Sequence, residues 1–285
     1  MRRYDRPRGA RGRRPLGGKL LAREALWLMS IDVEHLAGAA IVTVNRPDAM
    51  NALDVAHADE LRARLQELAS DDEARVVVLT GAGDRAFIAG ADIKYMQGLG
   101  VLEAREWGEL GQRCTELLET MPKPTVAAIN GFALGGGCEL ALACDLRLAA
   151  SNAKLGQPEI NLGIMPGWGG SQRLARATTL GYAKDLIFTG RTVDAAEALA
   201  HGLVDAVHEP DELRDKTLEL CRTLVSKSAL ALAYAKEATN LALQGDHRSN
   251  LETEARLFSM LFASEDQKEG MAAFVEKRPA QFQGR

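Results

Sequence analysis

Gly135-Gly136-Gly137-Cys138-Glu139-Leu140 follows the apolar run Thr125-Val126-Ala127-Ala128-Ile129 and leads into Glu139-Leu140-Ala141-Leu142-Ala143-Cys144. The β-branched content of the first run reads as a buried strand, and the second run as the start of a helix. Glycines at a strand-to-helix junction let another molecule approach the backbone and leave unpaired N–H groups at the positive end of the helix. Such a junction suits an anion or a developing oxyanion. Glu139, two residues beyond the last glycine, is a candidate acid or base. The same residues also fit a loop that only permits tight packing, with Glu139 as an acid favoured by the helix dipole. Further on, Gln157-Pro158-Glu159-Ile160 brings a second carboxylate. Alone, Glu159 reads as a loop acid after a proline.

Working outward from this junction, strand and helix patterns alternate. Ala40–Val44 reads as a strand ending at the turn Asn45-Arg46-Pro47-Asp48. A helix follows, with Leu61, Leu65 and Leu68 on one face. Arg75–Thr80 is a nearly continuous apolar run suited to a strand buried on both faces. Gly81-Ala-Gly83-Asp-Arg-Ala86 lacks the third glycine and a well-placed ribose acid, and is rejected as a dinucleotide fingerprint. A helix is expected over Leu102–Met121 and a strand over Leu146–Ala150. Gly163–Gly170 forms a second glycine-rich loop entering Ser171-Gln172-Arg173-Leu174. After Asp205–Pro210 strand signals end, and helices continue to about Val275. The pattern indicates an α/β body followed by an all-helical C-terminal region.

Composition narrows the class. The chain has 285 residues, 46% hydrophobic and 26% charged, with no apolar span long enough to cross a bilayer. Cys114, Cys138, Cys144 and Cys221 show no metal-ligand spacing, so no metal site is expected. Their apolar surroundings fit a reducing compartment, the cytoplasm ahead of the mitochondrial matrix. Residues 1–28 carry +7, so the net charge of −4 leaves −11 on the remainder. A basic arm on an acidic body fits a nucleic-acid tail or a transit peptide. It equally fits a disordered extension, with Met29 opening the functional chain. The arm has no core-forming pattern, so a chain starting at Met29 is expected to keep its activity.

Residues 39–282 resemble the crotonase, or enoyl-CoA hydratase, superfamily. The resemblance rests on Asn45-Arg-Pro-Asp-Ala-Met-Asn-Ala-Leu53, Ala86-Phe-Ile-Ala-Gly-Ala-Asp-Ile-Lys94, Asn130–Leu140, Gly156–Gly167 and Gly169-Gly-Ser-Gln-Arg-Leu174, in that order. It implies an α/β crotonase (ClpP-like) spiral of ββα turns over 29–210. A helical oligomerisation region over 211–285 would build a trimer or a dimer of trimers. The implied substrate is an acyl-CoA thioester, with no cofactor, because coenzyme A belongs to the substrate. Its carbonyl would sit between the N–H groups of Ala89 and Gly136. Glu139 and Glu159 match the paired glutamates of true hydratases, with Glu139 deprotonating water and Glu159 protonating the α-carbon. Ala49, Gly90, Ala91, Asp92, Ile93, Gly135 and Gly167 match positions lining the CoA and acyl channel. Phe274 and Lys277 match a C-terminal stretch that approaches CoA. Trp168 and Tyr95 depart from the family pattern and put chain-length preference in question.

The implied reaction is hydration of trans-2-enoyl-CoA to 3-hydroxyacyl-CoA, as in fatty-acid β-oxidation. The alternatives are an enoyl-CoA isomerase, a specialised hydratase, or a hydratase homologue that binds RNA. The helix from Asp54 to Glu73 is largely acidic, which disfavours phosphates. No nucleic acid or membrane partner is expected.

Overall fold

The computed structural model describes residues 30–284, so the basic arm lies outside the described residues. In chain order the body begins with β1 (Ile31–Leu36), β2 (Ala39–Val44), α1 (Val55–Ala69), β3 (Val76–Gly81) and β4 (Ala86–Ile88). Next come α2 (Ile93–Met96), α3 (Val101–Thr120), β5 (Thr125–Ile129), β6 (Phe132–Leu134) and α4 (Gly136–Ala143). Then follow β7 (Leu146–Ala150), β8 (Lys154–Gly156), α5 (Gly170–Ala177), α6 (Leu180–Thr189), β9 (Thr192–Asp194), α7 (Ala195–Ala200) and β10 (Ala206–His208). The remaining helices are α8 (Leu213–Val225), α9 (Ala229–Asn240), α10 (His247–Leu261) and α11 (Glu265–Glu276).

Two sheets result, ordered β1-β2-β3-β5-β7-β10 and β4-β6-β8-β9. Pairing is parallel except at β1–β2 and β8–β9. From β3 to α5 the chain repeats one unit: a strand in the large sheet, a strand in the small sheet, then helix. This is the expected ββα spiral. The continuous apolar runs are explained by burial on both faces. Val77 and Leu79 face a core shared with Leu61 and Leu118, while Val76 and Val78 face a second cluster with Val126, Leu148 and Leu213. Leu213 belongs to α8, so the first helix after residue 210 packs on the large sheet.

The expected strands and helices of the body are present within a few residues of their bounds. The β4, β6, β8 and β9 strands of the small sheet were not anticipated, because three residues cannot display a period of two. Helix α4 also starts earlier than expected. Gly136 and Gly137 form its first turn, after Gly135 turns the chain at φ 51 and ψ −122. Glycine tolerates that conformation where other residues are strained.

Buried ammonium groups tie the layers together. Lys236 of α9 donates to Leu118 O at 2.8 Å and Lys123 O at 3.1 Å, and pairs with Asp145 at 2.9 Å. It therefore satisfies a carbonyl in the last turn of α3, a carbonyl of the loop that follows and a half-buried carboxylate together. Removing the ammonium leaves the half-buried Asp145 with only its bonds from Thr125 N and Oγ1, so Lys236→Ala is expected to cost about 2 kcal/mol. Denaturant unfolding checks this, and a loss below about 0.5 kcal/mol would reduce the contact to an ordinary surface pair. Among the described residues no helix is long and apolar enough to cross a membrane.

Candidate active site

Because β4, β6 and β8 are parallel neighbours, their C-terminal ends share one edge of the small sheet. Three loops leave that edge together: Ala89–Asp92, Gly135–Gly136 and Gln157–Glu159. Loop ends at the carboxyl edge of parallel strands are where α/β folds commonly gather ligand groups. Two asparagines hold the approach to the first loop. Asn51 is fully buried and donates to Ala82 O at 3.0 Å and Ala86 O at 2.8 Å, while accepting from Arg46 N. Asn130 donates to Gly81 O and Gly83 O. Both lie in sequence blocks that had suggested no role for them.

The loops and α3 enclose a cavity of about 520 Å³. Ala89, Gly90, Ala91, Ile93, Gly135, Gly136, Glu139, Glu159 and Gly167 line it. Ala49 and Asp92 do not. Ala49 ends a 3-10 turn, and Asp92 caps α2 by accepting from Lys94 N at 2.9 Å. Phe274 and Lys277 end α11 and do not line the cavity within one chain, where Phe274 is 86% exposed.

One expected donor needs correction. The Ala89 N–H donates to Met50 O at 3.0 Å, so it is already committed to backbone. Two residues on, Leu53 N donates to Gly90 O at 2.9 Å and Asp92 N donates to Leu53 O at 2.7 Å. Leu53 thus straddles Ala91 in a parallel bridge, which turns the Ala91 N–H to the opposite side. Gly136, first residue of α4, has no helical acceptor for its N–H. The two loops touch here: a Cβ on Gly90 would lie 3.7 Å from Gly136 N. Ala91 and Gly136 therefore supply the free pair of donors.

Glu139 is 2% exposed, and its Oε1 accepts from Trp168 N and Gly170 N, each at 2.7 Å. Burial pushes its carboxyl up to about 7, against the pull of those two N–H groups. Glu159 also rises to about 7, first through burial and then through the Glu139 charge. Gln157 is fully buried beside them, and a Cβ on Gly170 would lie 2.6 Å from its Nε2 and 2.9 Å from Glu139 Cγ. With its nitrogen toward Glu159, its amide donates to Oε1 at 3.0 Å and Oε2 at 3.2 Å. Turned over, its oxygen suits a protonated Glu159 instead.

Both carboxyls carry folded-state values above their ordinary 4.5. The folded protein therefore keeps protons that the unfolded chain releases, and this stabilisation is full below pH about 4.5 and lost as pH rises through about 7. The Glu139→Gln/Glu159→Gln double variant is expected to be more stable than the parent at pH about 8, by about 2 kcal/mol. The difference should fade near pH about 4, where both parent carboxyls are protonated. Unfolding at the two pH values tests this, and a double variant less stable at the higher pH would contradict it.

Residues 34–285 match the enoyl-CoA hydratase/isomerase family. The chain belongs to that family. It is 48% identical over 253 residues to a crotonyl-CoA hydratase of Syntrophomonas wolfei, covering 89% of this chain and 97% of that one. It is 46% identical over 251 residues to a short-chain-enoyl-CoA hydratase of Clostridium acetobutylicum, covering 88% and 96%. The crystal structure of an enoyl-CoA hydratase from Bacillus anthracis superposes with a TM-score of 0.87 at 39% identity, covering 90% of this chain and 100% of that one.

Proposed function

We propose that this member of the family is an enoyl-CoA hydratase, adding water across the double bond of a trans-2-enoyl-CoA to give 3-hydroxyacyl-CoA. The observation that carries the reading is the pair of carboxyls, Glu139 buried and Glu159 half-buried, both raised to about 7, beside two free backbone N–H groups in one cavity. Glu139 acts as base. Two backbone N–H groups already hold its Oε1, which leaves Oε2 for the water. Glu159 acts as acid, since an ionised Glu139 holds its proton on.

The water oxygen bonds to the β-carbon as Glu139 takes a proton from that water. The double-bond electrons pass into the thioester, and the negative oxygen rests against the Ala91 and Gly136 N–H groups. Glu159 then gives its proton to the α-carbon. Protonated Glu139 and ionised Glu159 return to their starting states by exchanging a proton through solvent, so the sum is one water added. The C-terminal helices leave Phe258, Phe262 and Val275 exposed in the single chain. That unpartnered apolar surface supports assembly as a trimer, in which Phe274 and Lys277 would reach a neighbouring site.

The test is incubation with crotonyl-CoA, following loss of the conjugated-thioester absorbance and formation of 3-hydroxybutyryl-CoA. An enzyme that only shifts the double bond of a 3-enoyl-CoA, without hydrating crotonyl-CoA, would overturn the reading in favour of an isomerase.

A further inference from the structure

On the side of α3 the cavity is walled by aromatic rings, Trp107 and Trp168. Trp168 is 3% exposed and wedged between two glycines: a Cβ on Gly136 would lie 2.7 Å from its ring, and one on Gly111 of α3 would overlap the indole. Its backbone is held as well, since its N–H donates to Glu139 and its carbonyl accepts from Thr115 Oγ1 at 3.1 Å and Arg173 Nη1 at 3.0 Å. Trp168 is therefore a fixed wall. Trp107 of α3 meets it edge to face, with ring centroids 5.0 Å apart, and Tyr95 packs on Trp107 in the same manner at 5.3 Å.

Trp107 has a second neighbour. On its other side a groove of about 580 Å³ runs between α1 and α3, lined on its apolar part by Val55, Tyr95 and Leu110 and elsewhere by charged residues such as Asp59, Glu106 and Arg113. Trp107 and Leu99 line both this groove and the catalytic cavity. The two spaces are thus separated by little more than one indole and one leucine. Trp107 lies in the interior of α3, so its side chain can be exchanged without removing a backbone contact to the carboxyls, as a change at the Trp168 loop could.

We propose that Trp107 is the specificity-determining partition of the acyl site, confining the substrate to short chains by closing the cavity off from the α1–α3 groove. This rests on the hydratase reading. The carboxyls and the free N–H groups fix the thioester end in the same cavity that the two indoles wall, so a longer chain must meet that wall. The apolar part of the outer groove is the space that a longer chain would take once the partition is removed.

The experiment compares kcat/KM for crotonyl-CoA and trans-2-decenoyl-CoA. The parent enzyme should favour crotonyl-CoA. Trp107→Ala should raise the decenoyl-to-crotonyl ratio by at least about 10-fold, the scale on which an apolar pocket discriminates chain length. Trp107→Leu keeps an apolar side chain on α3 and serves if the alanine variant does not fold. Adding Val55→Trp to either variant refills the outer groove and should cancel the gain, an outcome that mere loosening of the cavity would not produce. A parent enzyme that hydrates both substrates equally, or variants that leave the ratio unchanged, would overturn the partition. So would a gain in ratio that survives Val55→Trp. A parent inactive on crotonyl-CoA would instead sink the hydratase reading itself.

Discussion

Glu139→Gln and Glu159→Gln are each expected to lower hydration of crotonyl-CoA by about 10²–10⁴-fold while leaving binding of the thioester nearly unchanged. The glutamine at 139 can still accept from Trp168 N and Gly170 N through its amide oxygen, so the loop over the site keeps its place. It has lost only the second oxygen that takes the proton of water. At 159 the amide keeps the volume and cannot deliver an acidic proton. Each variant should also change the pH dependence. The parent needs one carboxyl ionised and one protonated, so kcat should pass through a maximum near neutrality, flanked by two apparent values that belong to the pair. Glu139→Gln should remove the acidic limb, which reports loss of the base, and Glu159→Gln the alkaline limb. Near-normal turnover in either variant would remove that residue from the mechanism, and loss of the opposite limbs would exchange the two roles.

Much of this arrangement was legible in the sequence because it is written in runs. Val76–Leu79 and Val126–Ile129 are apolar throughout since both faces of β3 and β5 are covered, by α1 and α3 on one side and α8 on the other. The two glutamates were legible through blocks that also carry glycines and a proline. What stayed hidden depends on contacts between distant segments. Ile31-Asp32-Val33-Glu34-His35-Leu36 alternates in the manner of a strand but borders the arm, and only its pairing with Ala39–Val44 shows it to be one. The choice between Ala89 and Ala91 as a donor is likewise not local. It is settled by Met50 capturing one N–H and Leu53 turning the other outward, and both come from a loop some forty residues earlier. Gln157 stood in plain view beside Glu159, yet its role follows from being fully buried against two carboxyls. Trp107 carried no motif at all; an aromatic on an amphipathic helix is ordinarily core, and only two cavities meeting at its ring distinguish it.

The second large effect is expected at the oxyanion site, where Gly136→Pro deletes an N–H. Proline is tolerated at the first position of a helix, where the N–H has no helical acceptor. Gly135, at φ 51 and ψ −122, stays out of the right-handed helical region that a following proline disfavours. The obstacle is Trp168, because any Cβ at 136 would lie 2.7 Å from its ring. The substitution therefore belongs in a Trp168→Leu background, which keeps the backbone N–H that holds Glu139 and supplies its own reference rate. Against that reference, Gly136→Pro should lower kcat by about 10²–10³-fold, the cost of one donor to a developing oxyanion. KM should rise as well, since the proline Cδ that replaces the hydrogen stands where the thioester oxygen would approach, so kcat/KM falls further than kcat. The pH maximum should survive, since Glu139 and Glu159 remain. Melting and oligomer size establish that the variant is folded before rates are compared. A folded Gly136→Pro/Trp168→Leu enzyme turning over as fast as Trp168→Leu alone would show that the Gly136 N–H takes no part, leaving the glycine there only to make room for the indole.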